Sequence, residues 1–368
     1  MGTLRFFLAI SIIVAHAGPV FGVSLVDARL AVQLFYLLSG FPMAFVWQGK
    51  YATSQAPLRT FFIGRALRIY PQYFMVSVPA ILLSVYVWLA FDRHPIAQAL
   101  HSPVHGIGGV WIYLQQVVLV GMESHFFLQR AADGTLAFCL NFHQGADPQL
   151  HYYMFVPQAW MLSLQLVFYL LVPLLLPRPR LCVAVLLLSF AARLGGWWGL
   201  GLNTDPWTHR FVLFEVGVFL LGVFSYDLYR RLQTRRPDLL ARAALGWGGL
   251  AVLSALALAL GLPQVRQSLG EAAYWVVLLA AVPLLPVMFH TTMKLRWDRY
   301  LGDLSYPIYI SHLLVMWFGE FLCGIPLRGL VYFALPATLP VAMLLNRLQA
   351  RFDAYRHSLV KAENYHTR

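Results

Sequence analysis

Charged residues are few: Asp, Glu, Lys and Arg make up 11% of the chain, where a soluble domain carries about 25%. Acid is scarcer than base, with 15 Asp and Glu against 27 Lys and Arg in 368 residues. An ordinary water-soluble enzyme is excluded. Cysteine is nearly absent, at three residues. Cys182 is expected in lipid, while Cys139 and Cys323 either stay unpaired and buried or meet on an outer face as one disulfide. Internal repeats are missing too, and with them the inverted pseudo-symmetry common in transporters. What the chain has in quantity is apolar sequence, 60% of its residues.

At roughly 20 apolar residues per crossing, the long apolar runs predict an all-α membrane protein of about ten transmembrane helices. They lie near 3–20, 28–47, 71–91, 155–176, 181–200, 209–229, 243–261, 272–290, 304–322 and 328–348. Ten crossings put both termini on one side. If that side is cytoplasmic, inner segments hold 19 of the 27 Lys and Arg and outer segments five, the others being Arg5, Arg193 and Arg210. Basic loops are retained inside by the membrane potential and the anionic inner leaflet. The net charge of +12 is therefore a topology signal, and nucleic acid is not among the expected partners. Arg5, the run after it and Ala15-His16-Ala17 could pass for a signal peptide. The second run follows within a dozen residues, however, and Arg5 sits inside a helical pattern, so an uncleaved first span is expected.

The long connection 92–154 is expected outside. It holds His94, His101, His105, His125, His143 and His151, which invites a metal reading, but the expectation is a solvated loop with an interfacial helix near 110–121 and no metal. Inside the apolar runs, ionisable groups are costly enough to suggest function. They are Arg5, His16, Arg193, Arg210, Glu215, His290, His312 and Glu320. Arg5 and His16 are eleven residues apart, about three whole helical turns, so they share a face about 16 Å apart along the axis. An arginine at the inner mouth beneath a deeper histidine suits an anionic cofactor that extends a reactive group inward. A snorkelling arginine and a histidine satisfied by a neighbouring helix is the structural alternative.

Arg5-x10-His16, Ser39-Gly40-Phe41, Arg65-Ala66-Leu67-Arg68-Ile69-Tyr70-Pro71 and Gly302-Asp303-Leu304-Ser305-Tyr306-Pro307-Ile308-Tyr309-Ile310-Ser311-His312 together resemble the integral-membrane acyltransferase-3 family over nearly the whole chain. The stretch from Trp160 to Tyr169 is similar to the family's W-S-L-S-V-E-x-x-F-Y, with Met161 and Gln165 in place of the usual Ser and Glu, and Arg210 to Gly217 to its R-x-x-x-F-E stretch. The Gln165 departure puts an acid role at that position in doubt.

The resemblance implies transfer of an acyl group, commonly acetyl, from cytoplasmic acyl-CoA to a hydroxyl of a glycan or other envelope acceptor in a bacterial inner membrane. The domain would be residues 1–350, followed by a basic cytoplasmic tail at 351–368. Arg65 and Arg68, at i,i+3 on one helical face, would grip the CoA phosphates, with Arg5 and Tyr306 also on the cofactor side. His16 would act as general base on the acceptor hydroxyl or carry the acyl group itself. Tyr309 would join it from a polar stripe with Tyr306 and His312. Glu215 would take a direct catalytic part or form a structural pair with Arg210. Asp27 would orient His16, bind a sugar hydroxyl or stand as a solvated loop charge. No appended soluble domain is evident, so the acceptor is expected to come to the membrane face or to be small. An ion-coupled transporter or flippase of a lipid-linked glycan precursor is the competing class, and a non-catalytic sensor a third.

Overall fold

The computed structural model describes residues 1–52, 56–91 and 99–365. Its helices are α1 (Gly2–Ala17), α2 (Ala28–Val46, continued by a π turn over Trp47–Tyr51), α3 (Pro57–Phe91), α4 (Gly106–Val118), α5 (Trp160–Leu175), α6 (Pro179–Leu200), α7 (Val212–Arg235), α8 (Pro237–Ala241), α9 (Ala243–Ala259), α10 (Pro263–Thr292), α11 (Arg296–Trp317) and α12 (Leu330–Tyr365). Every apolar run read from the sequence falls on one of them. Seven described helical segments are long and apolar enough to cross a membrane, with α1 and α9 shorter but apolar. Strand among the described residues is confined to one hairpin, β1 (Leu128–Arg130) with β2 (Leu136–Phe138). The protein is an all-α integral-membrane protein. Side chains such as Leu82, Leu187 and Trp198 stand bare of protein on α3 and α6, as lipid-facing positions do. The last helix runs on to Tyr365 because neither Pro nor Gly interrupts it after Pro340, so most of the expected tail is helix.

The chain divides into two compact units, residues 1–72 with 218–368 and residues 73–217, the divisions falling within α3 and α7. In the first unit α1 packs against α11, and also against α2 and α12. Glycine sets the closest approaches. A Cβ on Gly2 would come within 1.7 Å of the Asp298 carbonyl oxygen, and one on Gly302 within 3.0 Å of the Gly2 Cα. Gly40 on α2 faces Gly222 on α7 in the same way, each Cβ reaching 2.0 Å from a backbone oxygen of the other helix. In lipid, where burial of apolar surface gives little drive between helices, small residues let backbones close into contact.

Helix ends in this unit are tied by acids. Asp298 accepts from Gly2 N at 3.0 Å, Thr3 N at 2.8 Å and the Thr3 hydroxyl at 2.7 Å, satisfying the first turn of α1. Asp27 accepts from Arg29 N and Leu30 N at the start of α2 and pairs with Arg266. It is thus a helix cap in an ion pair rather than a solvated charge. Arg29 makes a two-pronged contact with Glu271 at 2.5 and 2.6 Å and lies 4.4 Å over the Tyr274 ring.

In the second unit, residues 99–159 are folded rather than a solvated loop. Ala99, Val104, Ile112, Leu150 and Tyr153 form a small core, and Phe127, Trp207 and Phe214 form another. The segment carries enough large apolar side chains to bury itself, which counting its histidines had hidden. The Ser163 hydroxyl of α5 receives Gly121 N and Met122 N at 2.7 and 3.2 Å and donates to Glu123 at 2.5 Å. The α4 helix leaves Ile107 and Val110 uncovered, in keeping with an interfacial helix. All three cysteines are free. Cys182 is buried against the Leu175 carbonyl rather than facing lipid, and Cys323 is exposed.

Candidate active site

The first unit gathers most of the residues singled out in the sequence, at the two ends of α1. At its far end His16 lies in the last turn of α1, one residue before the helix ends, and is exposed, where the sequence reading expects it deep in the membrane. The helix stops because Gly18 adopts φ 104 and Pro19 follows. The His16 Nδ1 lies 2.9 Å from the Ile12 carbonyl oxygen, four residues back. A carbonyl only accepts, so this contact places the hydrogen on Nδ1 and the lone pair on Nε2.

A second imidazole stands beside it. The His312 ring, from α11, is 5.1 Å from that of His16 at 53°. It is fully buried, its Nδ1 lies 2.6 Å from the Tyr309 carbonyl, and its buried Nε2 has no hydrogen-bond partner. Both rings therefore present the basic nitrogen away from their own helices. Tyr309 is buried with its ring 6.0 Å from His312 and 6.3 Å from Phe35. The sequence places His312 on the polar stripe expected around His16; the contact between the two rings, some 300 residues apart in the chain, is visible only in the fold.

Nearer the other end of α1, Arg5 donates to the Leu38 carbonyl of α2. That carbonyl needs a donor because Pro42, four residues on, has no N–H. Arg65 and Arg68 share α3, as their spacing predicts. Arg65 contacts the Tyr51 hydroxyl at 3.3 Å, and its guanidinium lies 5.8 Å from the Tyr51 and Phe61 rings. Arg68 is engaged by two acids, Asp303 at 2.9 Å and Asp353 at 3.4 Å. Asp353 also holds Arg356 at 3.1 Å, so a third arginine joins the group from α12. Arg356 had been assigned to the tail; its i,i+3 spacing from Asp353 on an unbroken helical pattern was the signal that could have found it. Tyr306 donates its hydroxyl to the Ile69 carbonyl at 2.9 Å, which ties α11 to α3.

Glu215 belongs to the second unit. It pairs with Arg193, which also donates to the Thr208 and Phe214 carbonyls at 3.2 and 2.8 Å. Arg210 instead grips Asp205 through two bonds of 2.7 and 3.0 Å. The expected Arg210–Glu215 pair is thus replaced by two others, because Arg210 lies in the turn before α7 and reaches back to the turn, while Arg193 reaches across from α6. Gln165 bonds Tyr169 one turn along α5. His290 approaches the Tyr229 hydroxyl at 3.5 Å. Among the described residues no group of His, Cys, Asp or Glu could hold a metal ion. His101 and His105 do stand at i,i+4, but residues 102–105 are not helical, so the two do not share a helix face. His94 lies outside the described residues.

The chemistry these groups support is general. A guanidinium cluster with bordering acids can receive a phosphorylated ligand, and the exposed His16 imidazole, with its lone pair on Nε2, can receive a proton. The sequence model described as an acyltransferase domain matches residues 2–347. No match was found among curated proteins or among solved structures.

Proposed function

Because this chain belongs to the acyltransferase-3 family, we propose that it moves an acyl group, acetyl in the first instance, from cytoplasmic acyl-CoA to a hydroxyl of an envelope glycan. The observation that carries the reading is the arrangement along α1 and α11. The His16–His312 pair, 5.1 Å apart, stands toward one end of two packed helices, and the arginine group beside Asp303 stands toward the other. Asp303 and His312 are nine residues apart on α11, about 13 Å along the axis, and Arg5 and His16 about 16 Å on α1. A cofactor with phosphates at one end and a thioester at the other suits that separation.

In this reading Arg65, Arg68 and Arg356 hold the phosphates, which displace part of the Asp303 and Asp353 contacts, and Arg5 supports the arm. His16 Nε2 takes the proton of the acceptor hydroxyl as its oxygen bonds to the acyl carbon. The carbon–sulfur bond breaks, and His16 returns the proton to the departing thiolate, so an ester and free CoA leave with protons balanced. His312, its own Nδ1–H held by Tyr309, offers a second basic nitrogen beside the imidazolium. Tyr309 fixes that nitrogen, and Glu215 acts on α7 by holding Arg193. The cofactor set is acyl-CoA without metal, and the setting is a bacterial inner membrane with both termini cytoplasmic.

Purified protein incubated with acetyl-labelled acetyl-CoA tests the proposal. The wild type should transfer label or slowly hydrolyse the thioester, and His16→Ala should lose about 10²–10⁴-fold while still binding CoA. Activity within about threefold of wild type would remove His16 from the chemistry. Movement of a lipid-linked glycan without acylation would favour the flippase reading instead.

A further inference from the structure

The second unit holds a polar and aromatic cluster that the proposed reaction does not use. The folded segment before α5 meets the turn after α6, where Trp207 donates its indole N–H to the Leu140 carbonyl at 2.9 Å and packs on Phe127. There Arg210 lies 4.0 Å from the Phe126 ring and 4.1 Å from the Trp160 ring, with Asp205 gripping its Nε and Nη2. His151 stacks nearly parallel on Phe126 at 5.7 Å and touches Tyr152 at 4.2 Å. His209 stands 3.8 Å from Asp205, and His143 packs on Phe142 at 3.9 Å.

Two polar atoms in this cluster are buried and have no hydrogen-bond partner, Arg210 Nη1 and His151 Nδ1. Buried polar atoms are otherwise almost always satisfied, and these two belong to neighbouring groups. The cluster opens at Asp205, whose side chain is 22% exposed, and at the exposed His143.

We infer that this cluster is a binding site for a neutral, hydroxyl-bearing sugar ring. Charge argues for neutrality: the guanidinium and carboxylate cancel. Burial, then the Arg210 charge, push the His151 imidazole down to about 4, so it carries no charge near neutral pH. Burial alone would raise Asp205, but protonated His209 and the Arg210 guanidinium outweigh it as acid approaches, so the carboxylate stays ionised near neutral pH. The bonding pattern argues for hydroxyls. A guanidinium Nη1 only donates, a carboxylate only accepts and a neutral imidazole nitrogen does either according to tautomer, whereas a sugar hydroxyl does both. Aromatic walls with a few convergent polar groups are the usual lining of a small-ligand site.

The inference rests on the acyl-transfer reading for its purpose but not for its test. Saturation-transfer NMR on the full chain in nanodiscs, with methyl glycosides of glucose, galactose, mannose and rhamnose as probes and methyl glucuronide as the charged counterpart, reads binding directly. At least one neutral glycoside should bind more tightly than the glucuronide. His151→Phe, which keeps the stack on Phe126, and Asp205→Asn should each weaken it about tenfold, the effect of one buried hydrogen bond. If Asp205→Asn fails to fold, His151→Phe decides. Equal binding in wild type and variants, or no neutral glycoside bound, means that ordered water fills the cluster and overturns the inference. A wild type that binds glycoside yet transfers no acyl group contradicts the proposed enzyme and leaves the sugar subsite standing.

Discussion

His16 and the arginine group illustrate how much a residue's neighbours decide. Arg68 is held by two carboxylates, and Arg356 shares one of them, so the group is pre-positioned but must exchange partners when phosphate arrives. Charge-assisted bonds contribute about 1.5–3 kcal/mol each, and Arg65→Ala with Arg68→Ala should weaken CoA binding a hundredfold or more. Calorimetry with CoA checks this, and an unchanged affinity would return both residues to a topological role. A second consequence concerns acid. Burial pushes the His125 and His151 imidazoles down to about 4 from an ordinary 6.5. Above 6.5 neither folded nor unfolded chain binds these protons; below it the unfolded chain binds them first, so stability falls as pH drops from 6.5 toward 4. At about 1.4 kcal/mol per pKa unit, each site withdraws roughly 3 kcal/mol over that window. Thermal melting between pH 7 and pH 4 should show the decline, and His151→Phe should flatten it; identical slopes would contradict the assignment.

Among the elements, proline and glycine account for several contacts between helices. Pro42 leaves the Leu38 carbonyl to Arg5. Pro71 leaves the Leu67 carbonyl to Gln349 at 2.8 Å, and Pro286 leaves that of Val282 to Ser225 at 2.8 Å. In a membrane, where water cannot satisfy the freed carbonyl, each proline thus needs a donor from a neighbouring helix. Gly40 is the most constrained contact of this kind. Because a Cβ there would stand 2.0 Å from the Phe219 oxygen, Gly40→Leu should part α2 from α7 and abolish the monodisperse peak in detergent chromatography; a normal elution profile would contradict that packing.

The helices themselves were legible because an apolar run of about 20 residues is the length a bilayer crossing requires, and Arg65 with Arg68 because i,i+3 spacing survives any tertiary arrangement. The His16–His312 contact was not, since it joins distant runs. Nor were the two arginine–acid pairs of the second unit, because Arg193 and Arg210 compete for Glu215 and Asp205 and only the turn between α6 and α7 decides which pairs form. The folded state of residues 99–159 was missed because its core residues are scattered among turns without helical or strand periodicity.

For the whole molecule the account is one of direction. Nineteen of 27 basic residues fall in the segments expected on the inner side, Arg65, Arg68 and Arg356 among them, and His16 is about 16 Å along α1 from Arg5. The proposed enzyme takes acyl-CoA from within and the acceptor hydroxyl from without. Vesicles carrying the protein in one orientation, with acetyl-labelled acetyl-CoA supplied only on the face bearing the C-terminal end and the glycan acceptor confined to the other, measure this directly. Label on the confined acceptor, lost in His16→Ala, is the result the account predicts; label appearing only when both substrates share the acyl-CoA face would contradict it.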